Sequence, residues 1–463
     1  MKEVPVIPSV KKLQKKLLLY NKGYVLRISL IAAMGGIMFG FDLGVITGAI
    51  PFIQTQFQLS GFDLGWVVAI FELGAVGGTL ITAWLADKAG RKKALLFTAL
   101  SFIITTIGVT LVSSAFELGA WRFLQGVGVG AVSVLAPMYI AEIAPAMMRG
   151  KLVSINQLSI IVGFMLSTIS SYYFGDPDNL ESWRWMFGSA IIPAVLFFIA
   201  LFYIPESPRW LVKMQCQPQA EKVLQKIGNP YYVRNELSEI NDSLRSVKRE
   251  GTYQELFKKA ILPVLMIGFG LAILQQLSGA NNVTAYMQVI FEKANISIRD
   301  GLLNAVFIGL VFFVFTLLAI WLVDRMGRKK LMLIGTSLMA LFLFLLAWSF
   351  NRQDVNGMLV FIFVMAYIGT YAFTLAPVTW VLLSEIFPNY IRGKALSLSS
   401  TVLWLATFLV VLISPSLLKL SPVINFLIFA AFNIIGIFFV WRFVPETKGK
   451  SLEEIERTLF CKE

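Results

Sequence analysis

Twelve stretches of the chain are long and apolar enough to cross a bilayer. They lie near residues 27–50, 64–86, 94–113, 119–141, 152–174, 184–204, 260–290, 302–323, 331–350, 358–386, 395–417 and 422–444. A spanning helix needs about 20 such residues. Between the sixth and seventh stretches the pattern changes. From about Ser207 to Lys259 charged residues such as Glu221, Lys222, Glu236, Glu239 and Arg245 alternate with leucine and isoleucine at helical spacing. That pattern predicts short amphipathic helices on a membrane surface.

Two interruptions of the apolar pattern stand out. The seventh stretch carries Gln275-Gln276-Leu277-Ser278-Gly279-Ala280-Asn281-Asn282. Amides in hydrocarbon are costly unless they face a protein interior or a water-filled cavity. They both donate and accept, which suits a hydroxyl-rich solute better than an ion. Gly279 predicts a loosened helix there, as in the broken helices of transporters. Gln275 and Asn282 are seven residues apart, on roughly one face of an unbroken helix. The second interruption is Asp42, about 15 residues into the first stretch and therefore roughly 22 Å deep at 1.5 Å per residue. A carboxylate at that depth is a functional candidate. Arg122, near the outer end of the fourth stretch, has the reach to meet it. A guanidinium beside that carboxylate would make its protonation depend on the pair. The sequence alone leaves open whether they touch.

Three motifs occur twice, in the same order and at equivalent stretches. Asp87-Lys88-Ala89-Gly90-Arg91 returns as Asp324-Arg325-Met326-Gly327-Arg328, 237 residues on. Glu142-Ile143-Ala144-Pro145, followed by Arg149, returns as Glu385-Ile386-Phe387-Pro388, followed by Arg392. Pro205-Glu206-Ser207 returns as Pro445-Glu446-Thr447. The expected fold is therefore an all-α membrane protein of twelve transmembrane helices in two pseudo-symmetric six-helix bundles. Residues 1–26 form an N-terminal segment, 27–206 the first bundle, 207–259 a helical linker, 260–446 the second bundle and 447–463 a tail. In parallel repeats of this kind substrate binds between the halves near mid-depth. Gly126-x-Gly128-x-Gly130 in the fourth stretch predicts helix packing, not a nucleotide loop, since no strand precedes it.

Composition sharpens this. The chain is 57% hydrophobic with a mean hydropathy of +0.74, outside the soluble range. Its charge of +13 is unevenly placed. Lys11 to Lys22, Lys88 to Lys93, Arg149, Lys151, Arg325 to Lys330, Arg392 and Lys394 fall on one side, against about five basic residues in the opposite loops. This is the positive-inside bias, with both termini and the linker cytoplasmic, and it argues against a nucleic-acid partner. The N-terminal segment has no cleavable signal and is expected on the inner membrane surface. Cys216 and Cys461 are both assigned to the cytoplasmic side, so no disulfide is expected. With two cysteines and no histidine, no metal site or cofactor is expected. No nucleophile–base pair or phosphate loop points to an enzyme.

Taken together, the Gly-rich first stretch ending in Asp42, the paired Asp-x-x-Gly-Arg loops, Pro205-Glu206-Ser207-Pro208-Arg209-Trp210, Gln275-Gln276-Leu277-Ser278-Gly279, Pro377-Val378-Thr379-Trp380 and Pro445-Glu446-Thr447-Lys448-Gly449 resemble the sugar porters of the major facilitator superfamily. That family includes bacterial xylose– and galactose–proton symporters and glucose facilitators. The resemblance implies alternating-access transport of a monosaccharide or polyol by a monomer in a lipid membrane, the bacterial inner membrane. It implies that Gln275, Gln276 and Asn281 hydrogen-bond sugar hydroxyls and that Phe39, Trp380 and Trp404 offer apolar faces; Asn282, in a run that departs from the family's pattern, is expected to restore one contact. It implies proton coupling through Asp42 and Arg122. It also implies that Asp87, Arg91, Glu142, Arg149, Asp324, Arg328, Glu385 and Arg392 latch the halves on the inside when the site opens outward.

The chain departs from that pattern at Phe164, Phe312 and Leu403, where amides are usual. Losing three amide contacts, at about 0.5–1.5 kcal/mol each, weakens a hydroxylated ligand by a few kcal/mol. Four readings follow: a proton-coupled sugar importer, a facilitative uniporter, a carrier of a less polar solute such as a cyclitol, deoxy sugar or drug-like compound, and a non-transporting sensor. Sensors of the family usually carry long tails, whereas this chain stops soon after Glu446.

Overall fold

The computed structural model describes residues 20–145, 147–246, 253–259, 261–388 and 391–448. Twelve helices long and apolar enough to span a membrane run through it: Lys22–Gln56, Gly61–Thr82, Arg91–Leu111, Ala115–Ile143, Arg149–Phe174, Ser182–Tyr203, Leu262–Ala285, Ile298–Val323, Arg328–Phe350, Gly357–Ile386, Arg392–Leu420 and Pro422–Phe443. They are numbered below as the first to twelfth spans. Between the sixth and seventh lie the short helices Pro208–Lys213, Gln217–Ile227, Pro230–Ser246 and Tyr253–Leu256. Tyr20 and Asn21, ahead of the first span, pair with Gly228 and Ile227 of this linker. The rest of the N-terminal segment, residues 1–19, and the tail beyond Lys448 lie outside the described residues.

Side chains begin several helices. Ser114, Ser297, Asn356 and Ser421 accept from backbone N–H groups two or three residues on, satisfying donors a helix start leaves open. Glycine permits the tightest crossings. A methyl at Gly126 would meet the carbonyl of Phe71, and one at Gly74 the carbonyl of Phe123. The second and fourth spans thus approach backbone to backbone, as the small-residue spacing predicts.

The repeated motifs build the same device twice. Gly90 and Gly327 take positive φ angles of 89° and 91°, turning the chain sharply between two spans. Glu206 then accepts from the backbone N–H of Arg91 and Lys92 at 2.9 and 3.1 Å. Glu446 accepts from Arg328 and Lys329 at 3.0 and 3.2 Å. Each carboxylate caps the start of a helix whose dipole favours it. Lys92 and Lys329 each donate to a carbonyl of the sixth and twelfth spans, those of Phe202 and Trp441, at 2.8 Å. Duplication is thus written in hydrogen bonds as well as in sequence.

Two spans are broken. Gly279 has a left-handed φ of 94° and separates Leu262–Leu277 from Ala280–Ala285. Thr374 separates Gly357–Phe373 from Leu375–Ile386. The breaks sit side by side. The freed carbonyl of Ser278 accepts from Tyr367 and Asn433, both at 2.9 Å. Backbone groups that leave a ladder in a membrane need such partners.

Candidate functional site

The polar run of the seventh span is buried among helices. Gln275 and Gln276 are 3% and 4% exposed. Gln275 Nε2 points at the carbonyls of Leu375 and Ala376, at 3.5 and 3.4 Å, just past the break in the tenth span. Gln276 Oε1 accepts from Asn281 Nδ2 at 2.5 Å. These three amides form one cluster at the two helix breaks. Asn282 does not join it. Its amide and that of Asn425 exchange hydrogen bonds at 3.1 Å, tying the seventh span to the twelfth. The positive φ at Gly279 is the reason: a break after Gln275 removes Asn282 from the face the unbroken spacing predicts.

Aromatic rings pack against one another across the halves. Phe39 of the first span lies 5.6 Å from Trp404 of the eleventh, centroid to centroid. Phe164 of the fifth meets Phe312 of the eighth at 5.7 Å, and Phe312 meets Tyr371 of the tenth at 6.2 Å. The two positions where amides were expected therefore face each other as an edge-to-face pair. Leu403, the third, is buried beside Trp404. Trp380 is 39% exposed on the second segment of the tenth span.

Asp42 and Arg122 meet. Nη1 of Arg122 is 2.6 Å from both carboxylate oxygens, and both residues are 1% exposed. The guanidinium is sandwiched between Phe71, at 4.4 Å, and Phe187, at 5.5 Å. Nη1 also donates to Gln125, whose amide donates in turn to Thr106. Glu72, on the second span and also buried, stands within electrostatic reach of both charges. The sequence reading passed over Glu72. It is a carboxylate inside an apolar span, the same signal that singled out Asp42, but only the packing shows whose neighbour it is.

Contacts between the halves run from mid-depth to the end opposite the linker. There Thr47 donates to the carbonyl of Thr284 at 2.8 Å. Arg299 donates to the carbonyls of Tyr172 and Gly175 at 2.9 and 3.0 Å. Trp66 packs on Phe408 at 6.1 Å. A cleft at this end, lined by Gln54, Thr55, Gln58 and Glu292, lies away from the amide cluster.

At the linker end Arg91 and Arg328 each pair with a carboxylate of their own half. Arg91 binds Glu142 at 2.9 Å and Asp87 at 3.4 Å. Arg328 binds Glu385 at 2.9 Å. Asp87 also binds Lys213 of the linker, at 3.0 Å. Arg149 stands against Glu236 of the linker, and Arg392 donates to the carbonyl of Phe387. The side chain of Asp324 lies outside the described residues.

Comparisons with known proteins follow this geometry. The family model for sugar (and other) transporters matches residues 28–459. The chain is similar to the arabinose-proton symporter of Bacillus subtilis (strain 168), with 36% identity over 95% of this chain and 96% of the relative. It is equally similar to the D-xylose-proton symporter of Escherichia coli (strain K12), with 36% identity over 94% of this chain and 96% of that one. Among solved structures, the inward-open conformation of the E. coli xylose transporter XylE superposes with a TM-score of 0.83 at 36% identity, over 94% of this chain and all of that one. XylE bound to 6-bromo-6-deoxy-D-glucose superposes at 0.78, over 95% of this chain. The duplicated halves, the paired helix breaks and the full-length match together make this chain a multi-pass membrane protein of the sugar transporter family of the major facilitator superfamily.

Proposed function

We propose that this protein imports a monosaccharide or related polyol together with a proton, by alternating access. The observation that carries the proposal is the buried Asp42–Arg122 pair, a carboxyl–guanidinium contact at 2.6 Å between residues each 1% exposed. A buried ion pair contributes little to stability over an apolar alternative, so a functional reason for keeping one is favoured. The names of the relatives, an arabinose-proton and a D-xylose-proton symporter, support the same reading.

The steps follow from the groups present. A proton reaching Asp42 neutralises it and releases Arg122. Sugar hydroxyls then take hydrogen bonds from Gln275, Gln276 and Asn281, while Phe39, Trp380 and Trp404 cover the ring. The halves rock, and the linker-end charges exchange partners across the halves as the far end opens. The basic clusters at the linker end support a cytoplasmic linker and termini in a bacterial inner membrane. Membrane potential then adds about 2.3 kcal/mol per charge per 100 mV. The protein acts as a monomer in lipid, without a nucleic-acid partner.

The experiment is uptake of labelled xylose, arabinose, glucose and galactose into proteoliposomes, with and without an inward proton gradient. Accumulation that collapses without the gradient, and an Asp42→Asn variant that exchanges sugar but no longer accumulates it, are the expected results. Equilibration without accumulation makes the protein a uniporter. A second reading, a less polar cargo, rests on the Phe164–Phe312 contact at 5.7 Å. It requires that none of the four sugars be taken up by folded protein.

A further inference from the structure

The ion pair has a third member. Glu72 is 5% exposed, and its Oε2 is buried with no hydrogen-bond partner. The ring of Phe71, one residue earlier, lies against the Arg122 guanidinium at 4.4 Å. The glycine crossing of the second and fourth spans, at Gly74 and Gly126, holds Glu72 at the depth of Arg122. Nε of Arg122 is likewise buried and has no acceptor. One unused guanidinium donor and one unused carboxyl oxygen therefore belong to neighbouring groups.

The other groups around Glu72 are few. Asp42 faces it from the first span and Arg122 from the fourth. Tyr286 faces it from the seventh, its hydroxyl already donated to the carbonyl of Val411 at 2.7 Å. The third and eleventh spans also pack on the second, but their charged residues, Arg91, Lys92, Lys93, Arg392, Lys394 and Lys419, sit at the ends. Two carboxylates thus share one cation. Were both ionised, the site would hold a net negative charge out of water. Such a group takes up a proton instead.

The geometry points to Glu72 as a second proton-carrying carboxylate of the coupling centre, with Arg122 held by whichever of Asp42 and Glu72 lacks the proton. At rest Asp42 is ionised and binds Arg122, and Glu72 is the neutral acid. A proton arriving at Asp42 makes it neutral and frees the guanidinium. Arg122 passes to Glu72, whose own proton leaves. Return of Arg122 to Asp42 carries the remaining proton from Asp42 back to Glu72. Each cycle takes up one proton and gives off one, and no bond other than O–H is made or broken. This inference rests on the proton-coupled reading above.

Two measurements test it. The first is accumulation of labelled xylose or arabinose in proteoliposomes driven by a proton gradient, beside counterflow exchange, for wild type, Glu72→Gln and Glu72→Asp. Wild-type protein that accumulates none of xylose, arabinose, glucose and galactose overturns the proton-coupled reading itself. Where wild type accumulates, Glu72→Gln is expected to keep exchange but lose driven accumulation by at least about fivefold, the low end of ordinary coupling strengths. Glu72→Asp restores it. Unchanged accumulation in Glu72→Gln, or accumulation and exchange falling together in a folded variant, overturns the proposal. The second measurement does not need that variant to fold. Infrared spectra of wild type at neutral pH should contain the carbonyl band of a buried neutral carboxylic acid. Asp42→Asn, which leaves Glu72 the only carboxylate for Arg122, should lose it. A band that persists in Asp42→Asn, or is missing from wild type, overturns the assignment.

Discussion

Asn282 and Asn425 exchange side-chain hydrogen bonds at 3.1 Å in both directions, at positions closed to water. The pair pins the short helix after Gly279 to the twelfth span. Asn282→Val leaves Asn425 buried and unpaired, which costs about 1–2 kcal/mol. The thermal unfolding midpoint in detergent should fall, and Asn282→Val with Asn425→Val should recover part of the loss. Sugar affinity should stay within about twofold, since less than 0.5 kcal/mol is at stake. An affinity loss with unchanged melting would return Asn282 to the binding set.

Glu206 gives the linker end a pH dependence. Burial pushes its carboxyl above the usual 4.5, outweighing the backbone N–H groups of Ser207, Lys92 and Arg91 and the guanidinium of Arg91. The folded protein then holds this proton more tightly than the unfolded chain does. Glu206 therefore contributes stability that is fully present below 4.5 and is lost as pH rises through the raised folded-state value. Unfolding midpoints compared between wild type and Glu206→Gln across this window should diverge with rising pH, the wild type losing more. Parallel curves would remove Glu206 as the source.

Arg299 ties the eighth span to the end of the fifth through two carbonyls, and its guanidinium also lies 4.2 Å from the ring of Tyr172. Arg299→Ala removes about 1–2 kcal/mol from the form closed at the far end. The open form should then gain about 5- to 30-fold in population relative to the closed one. Spin labels at Tyr173 and Lys293, exposed residues on opposite halves, should report a longer distance. An unchanged distance distribution would show that other far-end contacts hold the closure.

Phe164 and Phe312 pack edge to face where the family resemblance places amides. Phe164→Gln offers a new donor and acceptor, worth about 0.5–1.5 kcal/mol to a sugar that uses them. Competition assays should show the preference moving toward more hydroxylated sugars by about 2- to 10-fold. A variant that binds every sugar more weakly in equal measure would mean that the lost ring contact dominates.

The fold was legible because its signals are one-dimensional. A span needs only length and apolarity, and the bilayer removes other solutions. The duplicated motifs exposed the two halves because each motif is a local device, a glycine turn or a helix cap, built from neighbours in sequence. Gln275, Gln276, Asp42 and Arg122 were legible as candidates for a similar reason: a polar group in an apolar run is conspicuous without any structure.

What the sequence determined by itself, then, was the number of spans, their repetition and which buried polar groups need partners. Which partner each one takes was decided by tertiary structure alone. The positive φ of Gly279 turned Asn282 from the amide cluster to Asn425. Glycine crossings set Glu72 beside Arg122, and packing brought Glu142 to Arg91 and Glu385 to Arg328. Pairing of buried polar groups depends on distances of a few ångströms between helices far apart in the chain, and hydropathy carries no information about those distances.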